Sequence, residues 1–319
     1  MNAPLAGSIL VTGASGFVGA HLLKALARDY PASTIVGTGV APHPGSGIVH
    51  LDITDAHEVR DLVGRVRPDV CIHLAALASV DQSYQEPRAV WDVNLGGSLN
   101  LGEALLEIVP GCRLIHASTA EVYGLSFQSG EPAREDTTVL SPANPYAASK
   151  AAADLALGEM ELRGLRLIRL RLFNHTGPGQ TERYVLPRFA AQVARIAAGM
   201  QEPVIETGAL DRWRDFVDVR DVVDAYFAAI RAAEDGHCVN ICSGVARRVG
   251  DVLNTLLELA GVDAEVREQT SALRKTDVRT VLGSAKRAEV LLDWRPRIAW
   301  QDTVASLLSY WRVVTAASC

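Results

Sequence analysis

Through the first half of the chain, short apolar runs of strand length alternate with longer segments of helical period. Runs rich in Val, Ile and Leu occupy 8–12, 34–38, 48–51, 70–74, 113–117 and 165–170, and helical patterns occupy 17–28, 57–66, 87–108 and 145–163. Apolar strands separated by crossover helices predict a parallel sheet covered on both faces. After about residue 173 the rhythm loosens. A turn-rich piece at 174–181 leads to a helix at 187–199, a strand pair at 203–206 and 214–217, a helix at 219–233 and a strand at 238–241 that returns to the main sheet. The remainder, 243–319, reads as helix-rich. The pattern predicts an α/β protein with a doubly wound parallel sheet of Rossmann type and a smaller, discontinuous C-terminal unit. Residues 1–173 and 219–242 form the larger part, and 174–218 with 243–319 the smaller, with a cleft between them.

Composition narrows the function. The chain has 319 residues, 48% of them hydrophobic, and 31 Lys and Arg against 37 Asp and Glu, a net charge of −6. That is an ordinary globular balance, and its acidity argues against a nucleic-acid binder that works by neutralising phosphates. No apolar stretch approaches the length of a membrane span. The glycine-interrupted N-terminal segment lacks a basic leader and is expected to be mature structure rather than a secretory signal. Five cysteines, Cys71, Cys112, Cys238, Cys242 and Cys319, make an odd set expected as free thiols in a reducing cytoplasm. Cys238 and Cys242 lack the second pair that a zinc site requires, so no metal is expected.

Glycines 13, 16 and 19 lie in V-T-G-A-S-G-F-V-G, which follows a strand and opens a helix. Gly13 permits the turn, Gly16 lets backbone approach a pyrophosphate, and Gly19 allows close helix–strand packing, while the helix N-terminus offers free N–H groups to the anion. The second strand runs into Gly37-Thr-Gly-Val-Ala-Pro-His43, without the acid that binds the adenosine ribose of NAD. That absence favours NADP(H), with NAD(H) left open because no Arg or Lys stands there to hold a 2′-phosphate. Asp52 is either an adenine contact or a helix cap. Tyr146 and Lys150 sit four apart at the start of a helix, on one face, and Thr119 ends a strand. An ammonium beside a phenol favours phenolate, which would lower the Tyr146 pKa towards a working range for proton transfer, with Thr119 bonding the same substrate oxygen.

Taken together, Gly13/Gly16/Gly19, Asp52, His73-Leu-Ala-Ala76, Val93-Asn94-Leu-Gly-Gly97, Thr119 and Tyr146 with Lys150 resemble the extended short-chain dehydrogenase/reductase family, in order and spacing over essentially the whole chain. The resemblance implies that Tyr146 is the general acid/base, that Lys150 binds the nicotinamide ribose and tunes Tyr146, and that Thr119 orients the reacting oxygen. It implies further dinucleotide contacts from Ser15, Phe17, Val18, Asp52, Ile53, Leu74, Ala75, Ala76 and Asn94.

The second half is similar to the GDP-4-keto-6-deoxymannose reductases and GDP-mannose 4,6-dehydratases, through Arg171 to Gln180, Gln201 to Ile205, Gly208 to Asp221 and Leu273 to Val278. This likeness implies that the smaller unit binds a GDP-linked sugar through Ser79, Asn174, Arg188, Arg214, Arg274 and Asp277, the last standing where a Glu usually meets the guanosine ribose. A guanidinium clamps phosphate oxygens bidentately. Arg214 or Arg274 could instead serve a surface ion pair.

A 4-ketoreductase needs only hydride and a proton, whereas a 4,6-dehydratase also needs a C5 base and an acid for loss of the C6 hydroxyl, commonly placed directly after the Thr. Here that position is Ala120, followed by Glu121. A reductase is therefore expected first. A dehydratase with Glu121 as C5 base, a nucleotide-sugar 4-epimerase and a dinucleotide-sensing protein are the alternatives. In relatives, helices matching 94–108 and 146–163 pair across a two-fold axis, which implies a homodimer.

Overall fold

The computed structural model describes residues 7–269 and 278–317. Seven strands form an all-parallel sheet: β1 (Ser8–Thr12), β2 (Thr34–Gly39), β3 (Val49–His50), β4 (Val70–His73), β5 (Arg113–Thr119), β6 (Arg166–Leu172) and β10 (His237–Ile241), in the order β10-β6-β5-β4-β1-β2-β3. The side-chain period of two divides each strand between two cores. Ile9 and Val11, Val70 and Ile72, Ile115, and Ile168 and Leu170 face one way, towards α1 (Phe17–Asp29) and α8 (Val219–Arg231). Leu10, Cys71, Leu114 and Leu167 face the other way, towards α2 (Ala56–Val66), α5 (Gly97–Ile108) and α6 (Pro145–Leu162). Both faces are buried, and the central strands β1 and β4 carry almost no polar alternation. The strand order reverses between β1 and β4, and ligands of such sheets bind at that switch, beyond the carboxyl ends of the strands.

The helical pattern at 87–108 is interrupted: α4 (Pro87–Trp91) passes through a π-helical turn at Asp92–Gly96 before α5. A further short helix, α3 (Val80–Gln85), precedes it, started by Ser79, whose hydroxyl accepts from Gln82 N at 3.2 Å.

Beyond β6 lie β7 (Asn174–Thr176), α7 (Val185–Ala197), β8 (Val204–Thr207) and β9 (Trp213–Asp218). Then, after β10, come β11 (Ala246–Arg248), α9 (Val249–Ala260), β12 (Glu265–Glu268), β13 (Thr280–Val281), α10 (Lys286–Leu292) and α11 (Trp300–Ala316). The expected strand pair at 203–206 and 214–217 does not form. β8 pairs in parallel with β12, and β9 pairs with β7, β11 and β13. The two segments are close in sequence, but their partners come from distant chain that carries no matching local pattern.

A third core joins α7, α9 and α11 through Phe189, Val193, Leu253, Leu256, Leu307 and Trp311. From the C-terminal stretch, Ala288, Leu292 and Trp294 instead join the core beneath α8, where Trp294 Nε1 donates to Asp221 O at 3.0 Å. The four described cysteines are free thiols. Among the described residues no helix is long and apolar enough to cross a membrane.

Candidate active site

The glycine-rich turn is held from several sides. Gly13 has φ +69°, and a Cβ there would fall 2.6 Å from Ala75 N, so the turn lies directly against Leu74 and Ala75 at the end of β4. Ala75 N in turn donates to Thr12 Oγ1 at 3.3 Å. A Cβ at Gly19 would fall 2.6 Å from Ala14 O, which is why α1 can approach the strand so closely. Gly16 is the N-cap of α1, where among the described residues no side chain bonds the free N–H groups and no acid occupies the first turn. Uncapped donors above an exposed glycine form a cradle for an anion, so this turn fits a pyrophosphate. Ser15 leans over the end of β2, since a Cβ at Gly39 would meet its Oγ at 2.8 Å. Val18 packs into the core under α1.

Phe17 stacks on His175, with centroids 6.2 Å apart and planes 3° from parallel, and His21 Nε2 lies 2.7 Å from Pro178 O. The turn after β7 is thereby clasped to the helix that opens the cradle.

Asp52 accepts from Thr54 N at 2.9 Å and Thr54 Oγ1 at 2.7 Å, bonds that hold its carboxyl below the usual range. The helix cap is Asp55, which accepts from His57 N at 2.8 Å and Glu58 N at 3.1 Å, so the capping alternative for Asp52 is set aside. Ile53 is buried against Gly97, where a Cβ would meet its Cγ2 at 2.6 Å. Asn94, in the π turn, accepts from Leu77 N at 2.9 Å and donates to Leu77 O at 3.2 Å and Ser149 Oγ at 3.0 Å. Its carboxamide thus ties the loop that carries Ala76 to α6.

At the carboxyl end of β5, Thr119 Oγ1 accepts from Glu121 N at 3.2 Å and starts a short 3-10 turn. Asn144 caps α6, accepting from Ala147 N at 2.7 Å, with Pro145 in the first helical turn, where its missing N–H costs nothing. The same Asn144 donates to Glu121 Oε2 at 3.3 Å, joining the strand end to the helix start. Tyr146 follows, with its phenol beside the Thr119 hydroxyl.

The sequence led us to expect a lowered Tyr146 pKa. Burial instead pushes the phenol above its usual 10, the nearby Thr119 hydroxyl pulls it down, and Glu121 and Tyr184 push it further up. Lys150, one turn along α6, is 3% exposed. Desolvation brings its ammonium down to about 8, opposed by Asp154. The Nζ lies 3.5 Å from Nε2 of His116, a partner that sequence reasoning missed.

Beneath this group Asp154 accepts from Ser118 Oγ at 2.6 Å, Arg171 Nε at 3.1 Å and an Arg169 terminal nitrogen at 3.2 Å. Arg171 also reaches Tyr123 Oη at 3.0 Å, which donates to Asn240 Oδ1 at 2.8 Å. These are long-range pairs with no local spacing to betray them.

The expected sugar-nucleotide residues are more dispersed. Asn174 is exposed at the start of β7. Arg188 is exposed on α7, its Nε donating to Glu182 O at 3.2 Å, one turn beyond Tyr184. Arg214 on β9 donates to Trp213 O at 2.9 Å and Arg279 O at 3.1 Å. Arg274 and Asp277 lie outside the described residues.

A parallel sheet with a glycine cradle at its switch point, and a Tyr–Lys helix beside a strand-end Thr, define the extended short-chain dehydrogenase/reductase class of oxidoreductases. A profile of the GDP-mannose 4,6 dehydratase family matches residues 10–307, and the chain belongs to that family. It is 33% identical over 304 residues to GDP-6-deoxy-D-mannose reductase of Pseudomonas aeruginosa, covering 95% of this chain and 96% of that one. Identity to GDP-6-deoxy-D-talose 4-dehydrogenase of Aggregatibacter actinomycetemcomitans is 27%, over 86% of this chain and 87% of that one. The solved structure of RMD from Pseudomonas aeruginosa complexed with NADPH superposes with a TM-score of 0.86 at 32% identity, over 97% of this chain and 99% of that one.

Proposed function

We propose that the protein is an NADP(H)-dependent reductase of a GDP-4-keto-6-deoxyhexose, of the type that converts GDP-4-keto-6-deoxymannose to GDP-rhamnose. The observation that carries this reading is Ala120. It follows Thr119 where a dehydratase needs an acid to expel the C6 hydroxyl, it is 5% exposed, and its methyl group can move no proton. The likeness to a reductase over nearly all of both chains supports the same choice.

When bound, the cofactor supplies the hydride that reaches C4. The chain's own residues handle the oxygen. Thr119 and Tyr146 offer hydroxyls to the carbonyl and polarise it, and Tyr146 then gives its proton to the developing alkoxide. A phenol raised above 10 by burial is protonated at neutral pH, which is the form a reduction requires. Lys150, as ammonium, holds the nicotinamide ribose and offsets the charge left on the phenolate. Gly13, Ser15, Gly16 and Gly19 cradle the pyrophosphate. NADP(H) rather than NAD(H) is supported by the acid-free end of β2, where Val40 is 66% exposed.

On this reading residues 1–173 and 219–242 hold the dinucleotide, and 174–218 with 243–319 hold the GDP-sugar, with Ser79, Asn174, Arg188, Arg214, Arg274 and Asp277 as its contacts. We place the enzyme in the cytoplasm, supported by its free thiols, as a homodimer joined through α5 and α6.

Glu121 favours one second reading, a GDP-mannose 4,6-dehydratase in which its carboxylate removes the C5 proton. Incubation with GDP-mannose and, separately, with its 4-keto-6-deoxy product, following NADPH absorbance, decides between them. The proposal predicts stoichiometric NADPH loss on the keto sugar. Keto product from GDP-mannose without net cofactor consumption would contradict it.

A further inference from the structure

His116 has no exposed surface, and its Nε2 faces the Lys150 Nζ at 3.5 Å. An ammonium has donors only, so Nε2 accepts and the imidazole proton resides on Nδ1. Among the described residues Nδ1 has no hydrogen-bond partner. Buried donors are rarely left so, and one that persists calls for a reason. The adjacent ring of His73, 5.4 Å away between centroids, offers no acceptor, because its nitrogens are engaged by Thr12 Oγ1 at 2.7 Å and Ser98 Oγ at 3.0 Å.

The charged groups around His116 are cationic. Lys150 faces it from α6 and Arg169 from β6, with neutral His73 on β4. The Asp154 carboxylate, which draws the Lys150 ammonium from below, is itself shared by Arg169, Arg171 and Ser118. Burial and both cations keep His116 well below its usual 6.5, hence neutral at any working pH. A neutral acceptor is what a desolvated ammonium requires where no carboxylate is free to pair with it.

We propose that His116 is a positioning residue that holds the Lys150 ammonium, through Nε2, in place and in its charged form beside Tyr146. The inference rests on the roles proposed above for Tyr146 and Lys150. It accounts for the orphaned Nδ1 as the consequence of turning Nε2 towards the lysine.

With Tyr146 raised and Lys150 at about 8, lysine deprotonation is the first loss on the alkaline side, so kcat/KM falls above that pH. His116→Phe removes the acceptor, and the alkaline limb is expected to move down by about one pH unit, the size of one hydrogen bond to a charged group. NADPH affinity, followed by cofactor fluorescence, weakens over the same range. His116→Gln supplies a carbonyl oxygen and restores the wild-type limb. A readout without turnover is the ¹⁵N spectrum of histidine-labelled wild-type protein, with His116 assigned by its loss in His116→Gln. Proton on Nδ1 supports the proposal, and proton on Nε2 overturns it, whether or not the Phe variant folds. A His116→Phe profile superimposable on wild type, in an enzyme that Tyr146→Phe inactivates, overturns the inference and leaves the reading of the site standing. Undiminished turnover in Tyr146→Phe overturns both.

Discussion

His73 and His116 are sealed between the sheet and α5 and α6, and their neutrality has a thermodynamic sign. Burial brings His73 down to about 3 and His116 well below 6.5, with Lys150 adding to both. In the unfolded chain each protonates near 6.5, so below that pH the unfolded state binds protons that the fold does not, and stability falls as pH drops. His116→Gln removes one such group. Urea unfolding between pH 7 and about pH 5 should show wild type losing stability more steeply than His116→Gln, by a difference approaching about 1.4 kcal/mol per pH unit. Equal slopes would mean that His116 is protonated in the fold. At this scale the placement of Tyr146 and Lys150 one turn apart on α6, and of Thr119 at the end of β5, was legible in the sequence, because helical spacing and the apolar run of a strand mark them. His116 was not. It sits inside that same run, and its partner lies 34 residues away on another element. The Tyr146 pKa was misjudged for a related reason, since spacing on a helix reports neither the desolvation that raises the phenol nor the Glu121 and Tyr184 groups that add to it.

Among the elements, the β1–α1 unit shows what close approach demands. Gly19 is buried where a Cβ would lie 2.6 Å from Ala14 O, and backbone at that distance cannot give way cheaply. Gly19→Ala should therefore lower unfolding stability by roughly 1–3 kcal/mol through overpacking, and weaken NADPH binding by tilting the cradle. Urea midpoints and fluorescence titration measure the two effects, and unchanged values of both would contradict this geometry. The strands of the main sheet were legible to within a few residues, since both-face burial leaves long apolar runs. What the pattern hid was pairing. β12, Glu265–Glu268, is exposed at every position and carries no apolar alternation, yet it is the partner of β8. The π turn at Asp92–Gly96 was equally silent, because one extra residue in a helical repeat barely disturbs its apolar face. It marks the place where Asn94 turns inward to hold the loop after β4, a setting in which such turns recur at functional sites.

At the level of the whole molecule, two cores flank the sheet and a third lies under α7, α9 and α11, with the cradle and the Tyr146 group where the sheet's carboxyl edge opens. On the outer side of α6, Leu155 is 61% exposed and Leu162 88%, seven residues apart and so on one face. Large apolar side chains aligned in this way suit the proposed two-fold pairing. Leu155→Glu with Leu162→Glu should halve the mass seen by light scattering while leaving the circular dichroism of each chain intact, and an unchanged mass would place the interface elsewhere. The central claim concerns where the hydride goes. Supplying NADPH deuterated at the transferable C4 position together with the GDP-4-keto-6-deoxy sugar, then locating the label by NMR, tests it most directly. The account predicts one deuterium on sugar C4 for each NADPH consumed. Product that carries no deuterium, or carries it at C5 or C6, would contradict it.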